Sequence, residues 1–83
     1  MKPHRARIVY KGPPRLVRAA YESLLPEARK QPTSAGKVSL RLLEDDTLLI
    51  EITAWRISVL RAMVTVYMRV LRTLKDLYRE VTQ

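Results

Sequence analysis

The longest periodic pattern of apolar and polar residues lies in the last third of the chain. Apolar residues recur there at alternating intervals of three and four positions, which is the spacing of one continuous stripe on an α-helix. No Gly or Pro interrupts residues 56–82, and residues of high helix propensity fill much of this segment. We therefore predict one long helix over residues 56–82. The residues of its apolar stripe are Ile57, Leu60, Val64, Tyr67, Leu71, Leu74, Tyr78 and Val81.

A second apolar set follows a different side of the same helix and leaves only a narrow polar strip. A helix on the surface of a monomer needs one apolar stripe, and this helix has nearly two. Because a chain of 83 residues has little material to surround a helix, we predict that the second side binds a partner. The alternative is that this side is core. Its residues are Val59, Met63, Val66, Val70 and Leu77.

A shorter amphipathic segment predicts another helix over residues 14–25. Apolar residues at helical spacing give it one face, and charged residues give it the other. Pro26 disfavours helical geometry at the residue before it, so we expect the helix to end or kink at Leu25. Residues 27–36, which are rich in turn-forming residues, are predicted to form a loop.

Apolar residues at alternate positions predict β-strands over residues 5–11, 37–44 and 47–54. The last two strands form a hairpin around Asp45 and Asp46. The helix between the first two strands leaves them pointing the same way, whereas the third strand runs opposite. A fully antiparallel sheet therefore needs the third strand in the middle.

These elements predict an α+β fold, as one domain over residues 1–83. The order is β-α-β-β-α, with a three-stranded antiparallel sheet and two helices on one of its faces.

Two protein-binding surfaces follow from this arrangement. A dimer interface is predicted where Val9, Leu43 and Leu49 form a small apolar patch on the back of the sheet, or along a sheet edge. Trp55, between the third strand and the long helix, is either a packed lid on the core or an anchor for a partner. The predicted partner-binding residues are Val59, Met63, Val66, Val70, Leu77, Tyr67 and Leu24.

The charge of the chain adds a third candidate partner. Sixteen Lys and Arg against eight acids give a net charge of +8, which favours contact with polyanions such as RNA or DNA. Solubility alone is the alternative explanation. With no Phe and no aromatic strand pattern typical of RNA-recognition modules, any contact would be directed at the nucleic-acid backbone and would weaken with salt. The candidate contacts are Arg5, Arg7, Arg41, Arg69 and Arg72.

Little in the sequence could form an active site. The chain has no Cys and only two Gly, which excludes disulfides, thiolate metal sites and glycine-rich phosphate loops. The single histidine, His4, lies near the N-terminus, and the acidic run at residues 44–46 lacks further oxygen ligands at loop spacing. We therefore expect that the protein is not an enzyme and that it has no cofactor or metal site.

The predicted long helix is the one segment long enough to span a bilayer, and it is interrupted by Arg61, Arg69 and Arg72. No membrane span is therefore predicted. No apolar segment follows the basic N-terminus, so we expect no signal peptide and a cytoplasmic location.

Two segments read together resemble a known family. The first is AYESLLPE at residues 20–27. The second is ITA at residues 52–54, followed by VLRA at residues 59–62 and YMR at residues 67–69. A short helix ending in Leu-x-Pro-Glu, and a hairpin leading into a Leu-Arg-Ala helix, resemble the small Pcc/Lage-type subunit of the KEOPS complex. The resemblance covers most of the chain, in the right order.

The resemblance implies a non-catalytic dimerisation subunit of the complex that installs threonylcarbamoyl on the adenosine beside the anticodon of transfer RNA. It implies that the helices pack against a helical pair of the large transferase subunit. Two departures stand out, because related sequences tend to carry Asp where this chain has Arg56, and an Asn-Ser pair where it has Thr65 and Val66. These departures leave open a diverged paralogue that pairs with a standard subunit instead of with itself.

The leading hypothesis is therefore a dimerising scaffold subunit whose basic surface helps to hold transfer RNA. The alternative is a free-standing small basic module that binds nucleic acid without a protein partner.

Overall fold

Three strands and two helices form the fold in the predicted order β-α-β-β-α. The computed structural model describes residues 2–30 and 35–82, with side chains up to position 77. Two residues of the predicted stripe, Tyr78 and Val81, lie outside the described side chains. The elements are β1 (His4–Lys11), α1 (Pro14–Lys30), β2 (Gly36–Leu43), β3 (Thr47–Ala54) and α2 (Ile57–Thr82).

The strands form one antiparallel sheet in the order β1-β3-β2. The third strand is central, which confirms the predicted topology. Ile50, in the middle of β3, is paired with Ile8 on one side and with Leu40 on the other. Because side chains alternate across a strand, this register aligns the apolar residues of all three strands on one face of the sheet.

Both helices pack on that apolar face, which we call the inner face. Side chains from α1, β3 and α2 join in a single buried cluster there. The opposite, outer face is made of the other set of alternating residues and is not covered by either helix. The prediction of two helices on one face is thus confirmed. The buried cluster comprises Val17, Ala20, Leu24, Leu48, Ile50, Ile52, Ala54, Leu60, Tyr67 and Leu71.

Every element end except the end of α1 agrees with the predicted one to within a single residue. β1 and β2 begin one residue earlier than predicted, and α2 begins one residue later. β2 ends at Leu43 instead of at position 44 because Glu44 has a φ of 59°, a left-handed conformation that interrupts the strand. The Thr47 hydroxyl then donates a hydrogen bond to the Asp46 carboxylate (3.0 Å) where β3 begins.

The end of α1 is a larger correction. The helix does not end at Leu25 but continues to Lys30, with Pro26 inside it. Ala28 is buried, so the last turn extends the apolar face of the helix. The packing gained there outweighs the local tendency of Pro26 to disfavour helical geometry at Leu25. Pro26 is exposed, so water can reach the Glu22 carbonyl that loses its helical donor. The predicted loop shortens accordingly, and its residues 31–34 lie outside the described residues.

Replacing Pro26 with alanine should stabilise the chain by about 2 kcal/mol. Proline in a helix interior costs about 3 kcal/mol relative to alanine, and part of this is offset because proline also restricts the unfolded chain. Urea denaturation followed by circular dichroism measures the change. The control is Arg29→Ala, an exposed change in the same part of α1 that should alter stability by less than about 0.5 kcal/mol. Unchanged or lower stability of the Pro26→Ala variant would show that this turn tolerates proline without cost.

One glycine marks a close approach between the layers. A Cβ atom at Gly36, the first residue of β2, would lie 2.7 Å from the Thr53 carbonyl oxygen and 3.3 Å from Met63 Sδ. The absent side chain therefore lets β2 and α2 meet closely at this corner, and it places Met63 partly inside the fold.

Candidate interaction surfaces

A groove runs between the two helices. It has a volume of about 190 Å³ and is lined mostly by apolar side chains, with Glu27 as its one charged residue. We call it the helix groove. Its lining residues are Leu24, Glu27, Ala62, Met63, Val66, Tyr67 and Val70.

Burial changes steeply across the helix groove. Leu24 and Tyr67 are buried in the core and form its floor. Met63 and Val70 are half-buried, whereas Val66 at the rim keeps 52% of its surface exposed. The second side of α2 is therefore partly buried against the core and partly exposed. It is an apolar slot that the chain fills only in part.

The floor of the helix groove stays uncharged at neutral pH. Burial raises the pKa of the Tyr67 phenol, and the neighbouring Glu27 carboxylate raises it further. A partner entering the groove thus meets apolar surface beside the Glu27 carboxylate, which is exposed and lies 3.8 Å from the Lys30 ammonium. That chemistry suits an amphipathic helix that carries a basic residue.

The outer face of the sheet divides into two ends. Near the β2–β3 turn, Val9 is paired with Leu49, and Leu43 lies diagonally beside them on β2. Val9 is more than half exposed, whereas Leu49 is only 7% exposed. These three residues form one small apolar patch, flanked by Lys11 and Arg41.

The other end of the outer face is cationic. A shallow groove of about 460 Å³ lies there, with Arg5 and Arg7 on one side and Lys37 on the other. Ser39, Thr53 and Glu51 complete its polar lining, and Arg7 reaches Glu51 across the strands at 3.4 Å. We call it the cationic groove.

A family model described as transcription factor Pcc1 matches residues 3–78, which is nearly the whole chain. The chain belongs to the Pcc1 family. This confirms the resemblance to the small Pcc-type subunit, and it supports a KEOPS-related subunit role. No curated protein matches the chain.

In this Pcc1-family chain, most of the predicted partner-binding residues come together. Five of the seven line the helix groove, and two lie outside its lining. Val59 packs partly against the core, and Leu77 is an exposed residue further along α2. Sequence reasoning missed Ala62 and Glu27 as lining residues. Ala62 could have been found, because it lies four residues before Val66 and therefore on the same side of α2. Glu27 could not, because its position depends on the unpredicted extension of α1.

The predicted nucleic-acid contacts do not form one patch. Arg5 and Arg7 line the cationic groove, whereas Arg41 flanks the apolar patch. Arg69 and Arg72 lie on α2, and Arg72 borders a separate groove beside β1. The missed residue is Lys37, which the strand register places on the same end of the outer face as Arg5.

That separate groove, of about 260 Å³, lies between the edge strand β1 and α2 and is lined by Tyr10 and Met68 among others. Burial raises the pKa of Tyr10, and within the described part of the chain its hydroxyl has no hydrogen-bond partner. Trp55 is half exposed, and its backbone N–H donates to the Ala35 carbonyl at 3.2 Å.

Neither helix is both long and apolar enough, over the residues the structure covers, to cross a bilayer. The same residues bring together no group of three or more side chains of the types that bind metal ions.

Proposed function

We propose that this Pcc1-family chain is a non-catalytic dimerisation and scaffold subunit of a KEOPS-type complex. In that role it would support threonylcarbamoyl modification of the adenosine beside the anticodon of transfer RNA. The observation that carries the proposal is the helix groove, in a chain whose family membership is established.

The helix groove supports docking of the large transferase subunit. A monomeric protein gains nothing by leaving an apolar residue such as Val66 half exposed beside an open apolar slot. Pcc-type subunits are expected to pack their helices against a helical pair, and such a pair would fill this slot. Burial of Val66 and Leu77 in the complex would then add to affinity.

The apolar patch supports dimerisation, through the outer face or along an adjoining sheet edge. Val9 and Leu43 are exposed apolar residues next to the more deeply buried Leu49. Cations outnumber acids on this face, so two identical copies placed face to face would repel each other. A less basic paralogue would avoid this repulsion, which keeps both self-pairing and paralogue pairing in the proposal.

The first test is the solution mass of the purified chain across a dilution series, measured by light scattering. The self-dimer predicts twice the 9.6 kDa chain mass, persisting at low concentration. A monomer at every concentration would contradict self-pairing. Co-purification with the large transferase subunit then tests the docking role, and failure to bind it would contradict the scaffold proposal.

The second candidate function is a free-standing nucleic-acid-binding module. The observations that favour it are the net charge of +8 and the cationic groove. It predicts nucleic-acid binding with no protein partner present and no measurable affinity for the transferase subunit.

A further inference from the structure

The groove between β1 and α2 opens along one edge of the sheet, and we call it the edge groove. It lies on the opposite side of α2 from the helix groove, because α2 packs over β1 while α1 packs mainly over β2. Ile8 and Leu71 give it an apolar floor, and Met68, which is 46% exposed, forms part of its α2 wall. The edge groove is therefore an apolar slot beside a strand edge.

The edge of β1 carries hydrogen-bonding groups that no strand of the chain pairs. In the described part of the chain β1 pairs only with β3, so alternate backbone N–H and C=O groups of β1 point away from the sheet. The Tyr10 hydroxyl, which lines the edge groove, is buried and has no hydrogen-bond partner among the described residues. An extended chain added to this edge would pair the backbone groups and bring side chains to the groove.

Charge decides which extended chain fits. Arg72 and Lys75 are exposed on the α2 side of the edge groove, whose lining contains no acid. Neither forms an ion pair with another described residue. The strand adds Arg5, Arg7 and Lys11 on the outer face, whereas its inner-face side chains are mostly apolar. The complement of such an edge is a strand that alternates acidic and apolar side chains.

A second copy of this chain lacks that complement. Its β1 would bring the same cations to the edge, and like charges opposite each other on paired strands are destabilising. Its β2 carries Lys37 and Arg41 and no acid, so it fits no better. The charge of the edge therefore favours a strand from a different, acidic protein.

We propose that β1 and the edge groove bind an extended acidic peptide segment of another protein, which adds to the sheet as a fourth strand. Its acidic side chains pair with the cations of β1 and with Arg72 and Lys75, and its apolar side chains enter the edge groove. An added strand lies in the plane of the sheet, so it leaves the outer face and the β2 edge to the proposed dimer. It also leaves the helix groove open, so this inference does not rest on the proposed docking function.

The test is fluorescence anisotropy of the full chain with a labelled peptide of alternating Glu and Val that matches the 8 residues of β1 in length. We expect a Kd of about 100 μM or tighter. Peptides of alternating Lys and Val, and of alternating Glu and Ser, should each bind at least about tenfold more weakly, because the first reverses the charge and the second lacks apolar side chains. Equal binding of either control, or no binding at about 1 mM Glu-Val peptide, would overturn the proposal.

A pair of double variants locates the site. Arg72→Glu with Lys75→Glu should reduce affinity at least about tenfold. The matched control, Arg15→Glu with Arg18→Glu, reverses two exposed cations at the same spacing on α1 and should cost less than about threefold. Equal losses in both pairs would show attraction to overall charge alone and would overturn the site. Circular dichroism checks folding, and if the reversal unfolds the chain, Arg72→Gln with Lys75→Gln replaces it, where unchanged affinity is the contradicting result.

Amide hydrogen exchange shows whether the peptide adds as a strand. Saturating peptide should slow exchange at the β1 amides that point away from β3 and leave β2, the other edge strand, unchanged. Protection confined to β2, or absent from β1, contradicts strand addition. A dimer that the peptide dissociates, seen by light scattering, would assign the β1 edge to a second copy and would also overturn the proposal. The Arg72→Glu, Lys75→Glu variant should still bind the transferase subunit, which keeps failure of this site distinct from failure of the docking proposal.

Discussion

Replacing Val66 with aspartate should weaken binding of the proposed partner, the large transferase subunit, by about a hundredfold while leaving the chain folded. Val66 lies at the rim of the helix groove, where an aspartate is hydrated in the free protein. Docking would bury that carboxylate without a partner, close to the like charge of Glu27. A penalty of about 3 kcal/mol lowers affinity by roughly a hundredfold. Titration calorimetry with the purified subunit measures it.

Val66 separates docking from folding better than its neighbours do. Met63 is half-buried, packs against the core and approaches Gly36 closely. A charge at Met63 would therefore disturb folding as well as docking. Tyr67 is part of the buried cluster itself. A loss of binding at either position would therefore have two explanations.

Thr65→Asp is the matched control. Thr65 is the neighbouring residue on α2 and is exposed, and its hydroxyl donates a hydrogen bond to the Arg61 carbonyl of its own helix (2.8 Å). The same new charge on this side should leave affinity within about twofold, because it remains hydrated in the complex. If both variants lose binding equally, or if Val66→Asp binds normally, the helix groove is not the docking surface.

The second large effect should come from the centre of the sheet. Ile50→Ala is expected to lower the free energy of unfolding by about 3–4 kcal/mol, because it leaves a cavity at a fully buried position between two strands and the helix layer. A domain of this size has roughly 4–12 kcal/mol of stability in total. The midpoint of thermal unfolding should fall by roughly 15–30 °C, measured by calorimetry at one fixed protein concentration.

Leu42→Ala is the control for this prediction. Leu42 faces the same side of the sheet but lies on an edge strand near the turn, with 38% of its surface exposed. More than a third of its surface is already hydrated and truncation leaves no enclosed cavity, so the change should cost about 1–2 kcal/mol, roughly half the cost at Ile50. Equal costs at the two positions would mean that the sheet centre is not the main source of stability.

The strand order could be predicted from the sequence because two local facts determine it. A helix between the first two strands and a short hairpin after the second leave one antiparallel arrangement, with β3 in the middle. The end of α1 could not be predicted in the same way. The local effect of Pro26 is visible in the sequence, whereas the burial of Ala28 depends on packing that only the folded chain reveals.

The candidate surfaces show the same division. Alternation placed Val9, Leu43 and Leu49 on one side of the sheet, and the structure brings them together. Helical spacing identified the second side of α2 but not how far α1 covers it, which leaves Val59 half-buried and Val66 exposed. Lys37 was missed because its proximity to Arg5 depends on the register of two strands across a third.

The placement of charge on the sheet also bears on aggregation. All five cations of the outer face lie on the two edge strands, and the one acid lies on the central strand. Edge strands expose unpaired backbone donors and acceptors that can recruit strands from other molecules, and charged side chains oppose this. These cations, three on β1 and two on β2, should therefore oppose open-ended growth of edge-paired copies into insoluble sheets, which differs from the closure of a single dimer.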